Sequence, residues 1–138
     1  MNIDSIKDGI VIDHITAGNA MRLYQLLHLD ELSCSVAIIK NVHSRKMGKK
    51  DIIKVDSRID VDLNVIGFVD PGATVNIISD SKLVEKKNVP APKLLKGVIC
   101  CKNPRCITST EQGLIHIFRL ADPEKKIYRC IYCDTKHV

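Results

Sequence analysis

Two cysteine pairs constrain this chain more than any other feature: Cys101-x4-Cys106 and Cys130-x2-Cys133, separated by 23 residues. Thiolates paired at short spacing and joined by a loop can surround one tetrahedral Zn²⁺ at about 2.3 Å per bond. Four protein ligands close such a site, leaving no position for water, so the arrangement suits structure and not catalysis. Disulfides are the rival pairing. Met1-Asn2-Ile3-Asp4-Ser5 lacks the basic start and apolar run of a signal peptide, so a cytoplasmic location is expected and disulfides are disfavoured. An iron–sulfur cluster would also use four thiolates, in the tighter spacings of ferredoxins. One structural zinc held by Cys101, Cys106, Cys130 and Cys133 is the expectation. Cys100 competes with Cys101, but Cys101 is preferred because the turn-forming Lys102-Asn-Pro-Arg105 follows it. His116 and His137 are spare donors around a shell that is already complete. Cys34, far from the rest, reads as a small buried apolar residue.

Size explains why a metal would be needed. The segment from Lys93 to Val138 is below the length that usually sustains a core, and zinc binding would supply its folding free energy. Charge divides the chain at the same place. Residues 1–92 carry twelve basic and twelve acidic residues, whereas residues 93–138 carry nine and four, which leaves the whole net +5 there. Two prolines in Asn88-Val89-Pro90-Ala91-Pro92 mark the junction. Two domains, 1–92 and 93–138, are therefore expected. With 4% aromatics and no Trp, the cores must rest on Ile, Val and Leu. No stretch approaches the roughly 18 apolar residues of a membrane span, so no membrane partner is expected.

In the N-terminal segment, Gly9 to Ile15 reads as a buried β-branched strand. Ala20, Leu23, Tyr24, Leu27 and Leu29 recur at near-helical spacing, with Asn19 as the expected N-cap. Ser35 to Val42 and Asp51 to Val55 read as strands around a turn rich in Ser, Gly and Lys. Asp60 to Phe68 suggests a short helix, and Thr74 to Ile78 a strand paired with Lys82 to Lys86. The order strand–helix–strand–strand–helix–strand is that of a ferredoxin-like αβ sandwich. The fold class is thus α+β, with a small zinc-binding β domain following.

Arg45, Lys46, Lys49, Lys50 and Lys54 place five positive charges within ten positions. Lys50 and Lys54, four apart on a strand, share a face, and two ammonium groups on one face suit a polyphosphate. By spacing alone a solvated hairpin, with lysines blunting an edge strand, is the more economical reading. Asp13-His14 ends an apolar strand, where a carboxylate can accept ribose hydroxyls and an imidazole can donate to phosphate; a strand end reaching water explains it as well. Neither a P-loop nor a Gly-x-Gly-x-x-Gly motif is present. No nucleophile–base motif surrounds His14, His28 or His43, so no enzyme is expected. A basic zinc module also resembles nucleic-acid binders, with only Phe118, Tyr128 and Tyr132 available for stacking and no finger-type His pair.

Taken together, five motifs resemble the regulatory chain of aspartate carbamoyltransferase over essentially the whole length. They are Gly9-Ile-Val-Ile-Asp-His-Ile15, Lys46-Met-Gly-Lys-Lys-Asp-Ile-Ile-Lys54, Ala73-Thr-Val-Asn76, Cys101-Lys-Asn-Pro-Arg-Cys106 and Cys130-Ile-Tyr-Cys133. The resemblance implies a non-catalytic subunit of pyrimidine biosynthesis. Its N-terminal allosteric domain would bind CTP or ATP, and its zinc domain would dock onto the catalytic chain. The implied nucleotide site comprises Ile3, Asp4, Ser5 and Ile6 near the base, then Val11, Asp13 and His14, then Lys50 and Lys54. Asn76, Ile78, Ser81 and Leu83 follow, with Lys86 reaching phosphate. The family also forms homodimers of this chain that bridge catalytic trimers. Ser81 stands where a Tyr can occur, and Arg105 where some relatives carry a polar amide. The resemblance turns the lysine strand from a solvated hairpin into an expected phosphate site. A zinc-ribbon nucleic-acid-binding protein is the alternative, distinguished by steeply salt-dependent binding.

Overall fold

A computed structural model of the chain describes residues 6–111 and 113–137. Ile3, Asp4 and Ser5 of the expected nucleotide site lie outside the described residues. The chain divides into two compact units, Met1–Pro90 and Ala91–Val138.

The first unit is an antiparallel sheet with two helices. Its strands are β1 (Gly9–Thr16), β2 (Val36–Ser44), β3 (Gly48–Val55), β4 (Thr74–Ser79) and β5 (Lys82–Asn88), in the order β2-β3-β1-β4-β5. Helices α1 (Ala20–Leu26) and α2 (Leu63–Val69) connect them. This is the ferredoxin-like arrangement with a fifth strand added beside β4. Alternation along the strands sets the layers. Ile10 and Ile12 of β1, Ile53 and Val55 of β3 and Val75 of β4 are buried, and they form one cluster with Ala20, Leu23 and Ile66 of the helices. The opposite face of the sheet carries the intervening residues. Gly9 opens β1 where a Cβ would lie 2.1 Å from the Val55 carbonyl oxygen, so only glycine lets β1 and β3 approach there.

Several local expectations need correction. The run from Ala20 to Leu29 is not one helix: α1 stops at Leu26, His28 takes a left-handed conformation (φ 55°), and Leu29 enters the core from a separate 3₁₀ turn. Asn19 occupies the N-cap position, but its backbone is helical and its side chain caps nothing. The buried Asp51 carboxylate does that work from β3, accepting the Gly18 amide at 2.9 Å and the Ala20 amide at 3.3 Å, and also the Asn41 amide at 3.0 Å. Asp70, likewise buried, accepts from the amides of Thr16 and Gly72. By contrast α2 is capped locally, Asp62 accepting the Asn64 amide at 2.9 Å. Cys34 is half-buried at the core margin, not enclosed by it.

The second unit is a three-stranded antiparallel sheet in the order β6-β7-β8: β6 (Leu94–Lys96), β7 (Ile117–Asp122) and β8 (Ile127–Cys130). A short helix, α3 (Ile107–Thr110), follows Cys106. Leu95, Ile99, Phe118 and Tyr128 supply its small apolar interior. The Tyr128 hydroxyl donates to the Pro92 carbonyl at 2.7 Å, and burial raises its pKa. Among the described residues, no helix is long and apolar enough to cross a membrane.

Candidate functional site

The face of the first sheet turned away from the helices carries Val11, Lys54, Asn76, Ile78, Leu83 and Lys86 of the expected nucleotide site. Val11 lies opposite Lys54 on one side and Asn76 on the other, and Asn76 lies opposite Lys86. These four residues form a row across β3, β1, β4 and β5. Alongside, Ile78 lies between Gly9 and Leu83. Ile6 is buried, close to Gly9. Ser81 sits in the β4–β5 turn, where both Asp80 (φ 53°) and Ser81 (φ 65°) are left-handed, as a tight hairpin requires. The Ser81 amide donates to the Lys7 carbonyl at 2.8 Å and the Asp80 amide to Asp8 at 2.9 Å, tying the hairpin to the segment before β1.

One end of this face is charged. β1 breaks register with β3 between Ile12 and Ile15, and His14 is left-handed there (φ 58°). The irregularity brings Lys50 Nζ to 2.9 Å from Asp13 Oδ1, which the His14 amide also approaches at 2.6 Å. Burial works against ionising Asp13, but the Lys50 ammonium and the His14 amide outweigh it and hold the carboxyl below its ordinary range. His14 Nδ1 lies 3.1 Å from the Thr74 hydroxyl, a residue directly opposite Asp13. Thr74 was not among the sequence-derived candidates, because only strand register reveals it. In the middle of the row, Asn76 Oδ1 is buried and has no hydrogen-bond partner. A buried acceptor left unmatched costs free energy. It fits a ligand that brings a donor.

In the second unit, Cys101, Cys106, Cys130 and Cys133 converge with all four sulfurs within 4.8 Å of one another. Cys101 and Cys133 are 3.6 Å apart, and Cys106 and Cys130 are 3.7 Å apart. Bonds of about 2.3 Å in a tetrahedron give edges of about 3.8 Å, which these separations match. Disulfide bonding would need about 2.05 Å. The donor set and its geometry fit one structural zinc ion. Cys100, exposed, is outside the cluster. Burial pushes the Cys101 thiol up to about 12 and also raises Cys130. Cys133 is held down at about 6, chiefly by the Thr135 hydroxyl beside it. Binding zinc would require all four as thiolates, with protons released.

Beside the second cysteine loop, Asp134, left-handed at φ 64°, pairs with the Arg119 guanidinium at 2.6 Å on the surface, and Arg129 donates to its backbone carbonyl at 2.9 Å. His116, a spare residue by sequence, accepts the Cys101 amide at 3.0 Å through Nδ1. His137 instead packs edge-on against Phe118. Exposed Leu94, Ile107, Leu114, Ile115, Ile131 and Tyr132 crowd this small unit, whereas the larger first unit exposes Met21, Leu83 and Val84.

Two family models cover nearly all of the chain. Residues 1–90 match the allosteric domain of the aspartate carbamoyltransferase regulatory chain, and residues 93–138 match its metal binding domain. The chain belongs to the aspartate carbamoyltransferase regulatory chain family. It is 53% identical to the regulatory chain of Clostridium tetani, over 97% of this chain and 94% of that one. It is 47% identical to the Clostridium botulinum regulatory chain, over 97% and 92%, and 43% identical to that of Bifidobacterium longum, over 99% and 98%. The family is one of regulatory chains, so the expectation of a non-catalytic subunit stands on membership. In this regulatory chain the metal binding domain coincides with the four-thiol cluster.

Proposed function

We propose that the open face of the first unit binds a nucleoside triphosphate, CTP or ATP, and that the second unit docks onto the catalytic chain of aspartate carbamoyltransferase. The observation that carries the first part is the row Lys54–Val11–Asn76–Lys86 with the Asp13–Lys50 pair at its end. It offers cations for a polyphosphate, a carboxylate for ribose hydroxyls and an acceptor in need of a donor. Ile78 and Leu83 supply an apolar flank suited to a base. The second part rests on the exposed apolar side chains of this unit, which include Ile107, Ile131 and Tyr132 next in sequence to the metal-ligating cysteines. Zinc would keep those side chains in fixed relation to one another.

Coupling would follow from differential affinity. A triphosphate that binds one quaternary state better shifts the assembly toward it, by typically about 1–3 kcal/mol. Pairing of regulatory chains with one another belongs to the same reading, as does a cytoplasmic location. Among the described residues, β2 and β5 are the outer strands of the sheet, and an outer strand can pair with another chain.

Calorimetric titration of the zinc-loaded chain with CTP, with ATP and with a short DNA duplex tests the reading. Saturable triphosphate binding is expected, with no tight, salt-dependent DNA binding. In Lys50→Ala/Lys86→Ala, affinity is expected to fall at least about tenfold, since a hydrogen bond to a charged group contributes about 1.5 kcal/mol or more. Unchanged affinity in that variant removes both lysines from the site. DNA binding without triphosphate binding would favour the nucleic-acid alternative.

A further inference from the structure

The sulfurs of the metal centre do not share one environment. Cys101, Cys106 and Cys130 are buried, whereas Cys133 is only half-buried and is the one most open to an attacking reagent. The Thr135 hydroxyl lies 3.1 Å from it, and the Thr135 backbone amide and the Asn103 side chain reach the same sulfur. A hydroxyl can give its proton to one partner and accept from others. Which it does here is set by the state of the sulfur, and Asn103, on the opposite cysteine loop, holds the hydroxyl in place. The Arg105 amide donates to Asn103 Oδ1 at 3.0 Å, which fixes the orientation of the side-chain amide. Asn103 Nδ2 is thereby turned to Thr135 and donates to its hydroxyl oxygen at 3.1 Å. The Thr135 oxygen accepts there with one lone pair, which fixes the hydroxyl beside Cys133 with its proton still to give. A zinc-bound sulfur has no proton of its own, so it can only accept.

We infer that Asn103 and Thr135 are positioning residues that direct a hydroxyl proton onto the Cys133 thiolate and so slow the loss of zinc to thiol-reactive agents. A thiolate that accepts a hydrogen bond has part of its charge engaged and is a weaker nucleophile. Thr108 does the same for Cys106, donating at 3.0 Å, but that pair is buried and needs no guard against solvent. The Asn103–Thr135 contact also joins the two cysteine loops without the metal. Outer contacts of this kind generally tune metal sites substantially. The inference rests on the zinc assignment and is independent of nucleotide binding.

The test uses the full-length, zinc-loaded chain and an aromatic disulfide as the probe. In the reaction, the Cys133 thiolate attacks one disulfide sulfur, the S–S bond breaks, an aromatic thiolate leaves, and a mixed disulfide remains on Cys133. Zinc loses that ligand and is read with a metal-sensitive dye. Thr135→Val is expected to release zinc about tenfold faster, in the range that outer-layer changes produce. Thr135→Ser, which keeps the hydroxyl, should release it at the parent rate. Asn103→Asp can still accept the Arg105 amide but offers no donor to Thr135 or to the Cys133 sulfur, and should release zinc at least as fast as Thr135→Val. Mass spectrometry at early times should find the label on Cys133 in both fast variants. Parent-like release in Thr135→Val overturns the inference, as does fast release in Thr135→Ser, which would assign the effect to packing. If Thr135→Val fails to load zinc, Asn103→Asp decides the matter alone, with parent-like release again overturning it. Failure of the zinc assignment would look different, with no zinc in the parent chain at all.

Discussion

The two units reach stability by opposite routes. The first closes around twelve buried apolar residues drawn from three strands, two helices and their connections. The second buries Leu95, Ile99, Phe118 and Tyr128 and then relies on four sulfurs gathered at one point. Burial accumulates with chain length, so a segment this short gains little from it, whereas a metal contributes the same energy to a small fold as to a large one. The division of labour follows. A sheet with a wide open face can be given over to ligand binding where the core behind it is large, and a metal-pinned unit can expose apolar side chains where its shape does not depend on hiding them.

The largest effect that would break this contrast is metal removal. Structural zinc contributes on the order of 10–16 kcal/mol at pH 7 in small domains. Chelation is therefore expected to unfold residues 91–138 while amide resonances of residues 6–90 keep their native dispersion in an NMR spectrum. Simultaneous loss of both sets would show that the first unit does not stand on its own core. The reciprocal change is Ile12→Ala, at a position with no exposure. Removing those carbons from a packed core costs about 2–5 kcal/mol, so urea unfolding of the first unit should move to lower concentration while zinc content stays constant. Release of zinc by this substitution would mean that the two routes are not separate.

A smaller effect sharpens the contrast within the first unit. Asp13 has its pKa lowered, so the stability it adds is present above the unfolded value near 4 and is lost as pH falls through the lower folded value. Asp13→Asn should cost about 1 kcal/mol at neutral pH, the scale of a partly exposed ion pair, and the difference from the parent should shrink to nothing in acid. A difference that persisted undiminished in acid would assign the loss to packing and not to the Lys50 pair. The zinc unit has the steeper acid dependence, because protons compete with the metal for every thiolate.

Much of this was legible in the sequence, and the legible parts share a cause. β1 alternates Ile10, Val11, Ile12 and Asp13, and β3 alternates Lys50, Asp51, Ile52, Ile53 and Lys54, so the pleat alone sorts the residues into two faces. The cysteine spacing located the metal centre because short loops leave few other geometries. The misses share a cause too. The N-cap of α1 comes from Asp51 on another strand, and Asn19, the local candidate, is left without that role. Thr74 meets His14 across 60 residues, and Asn103 meets Thr135 across 32. Small polar residues carry no periodic signal, and their partners are chosen by strand pairing and loop closure. The end of α1 was hidden for a related reason: Leu29 is apolar and in phase, yet it reaches the core after a left-handed residue and not by continuing the helix.

The alternation on β3 also bears on how faithfully the chain can fold. Lys50 and Lys54 face outward, while Asp51, Ile53 and Val55, which alternate with them, point into the helix layer. Sliding this strand by one residue would turn every side chain to the other face. Two ammonium groups would then enter hydrocarbon, and Asp51 would leave three backbone amides without an acceptor. Neither error has a cheap remedy. The residues that suit an anionic ligand therefore also act as a proofreading device during assembly of the sheet, rejecting the misaligned strand before any ligand is present.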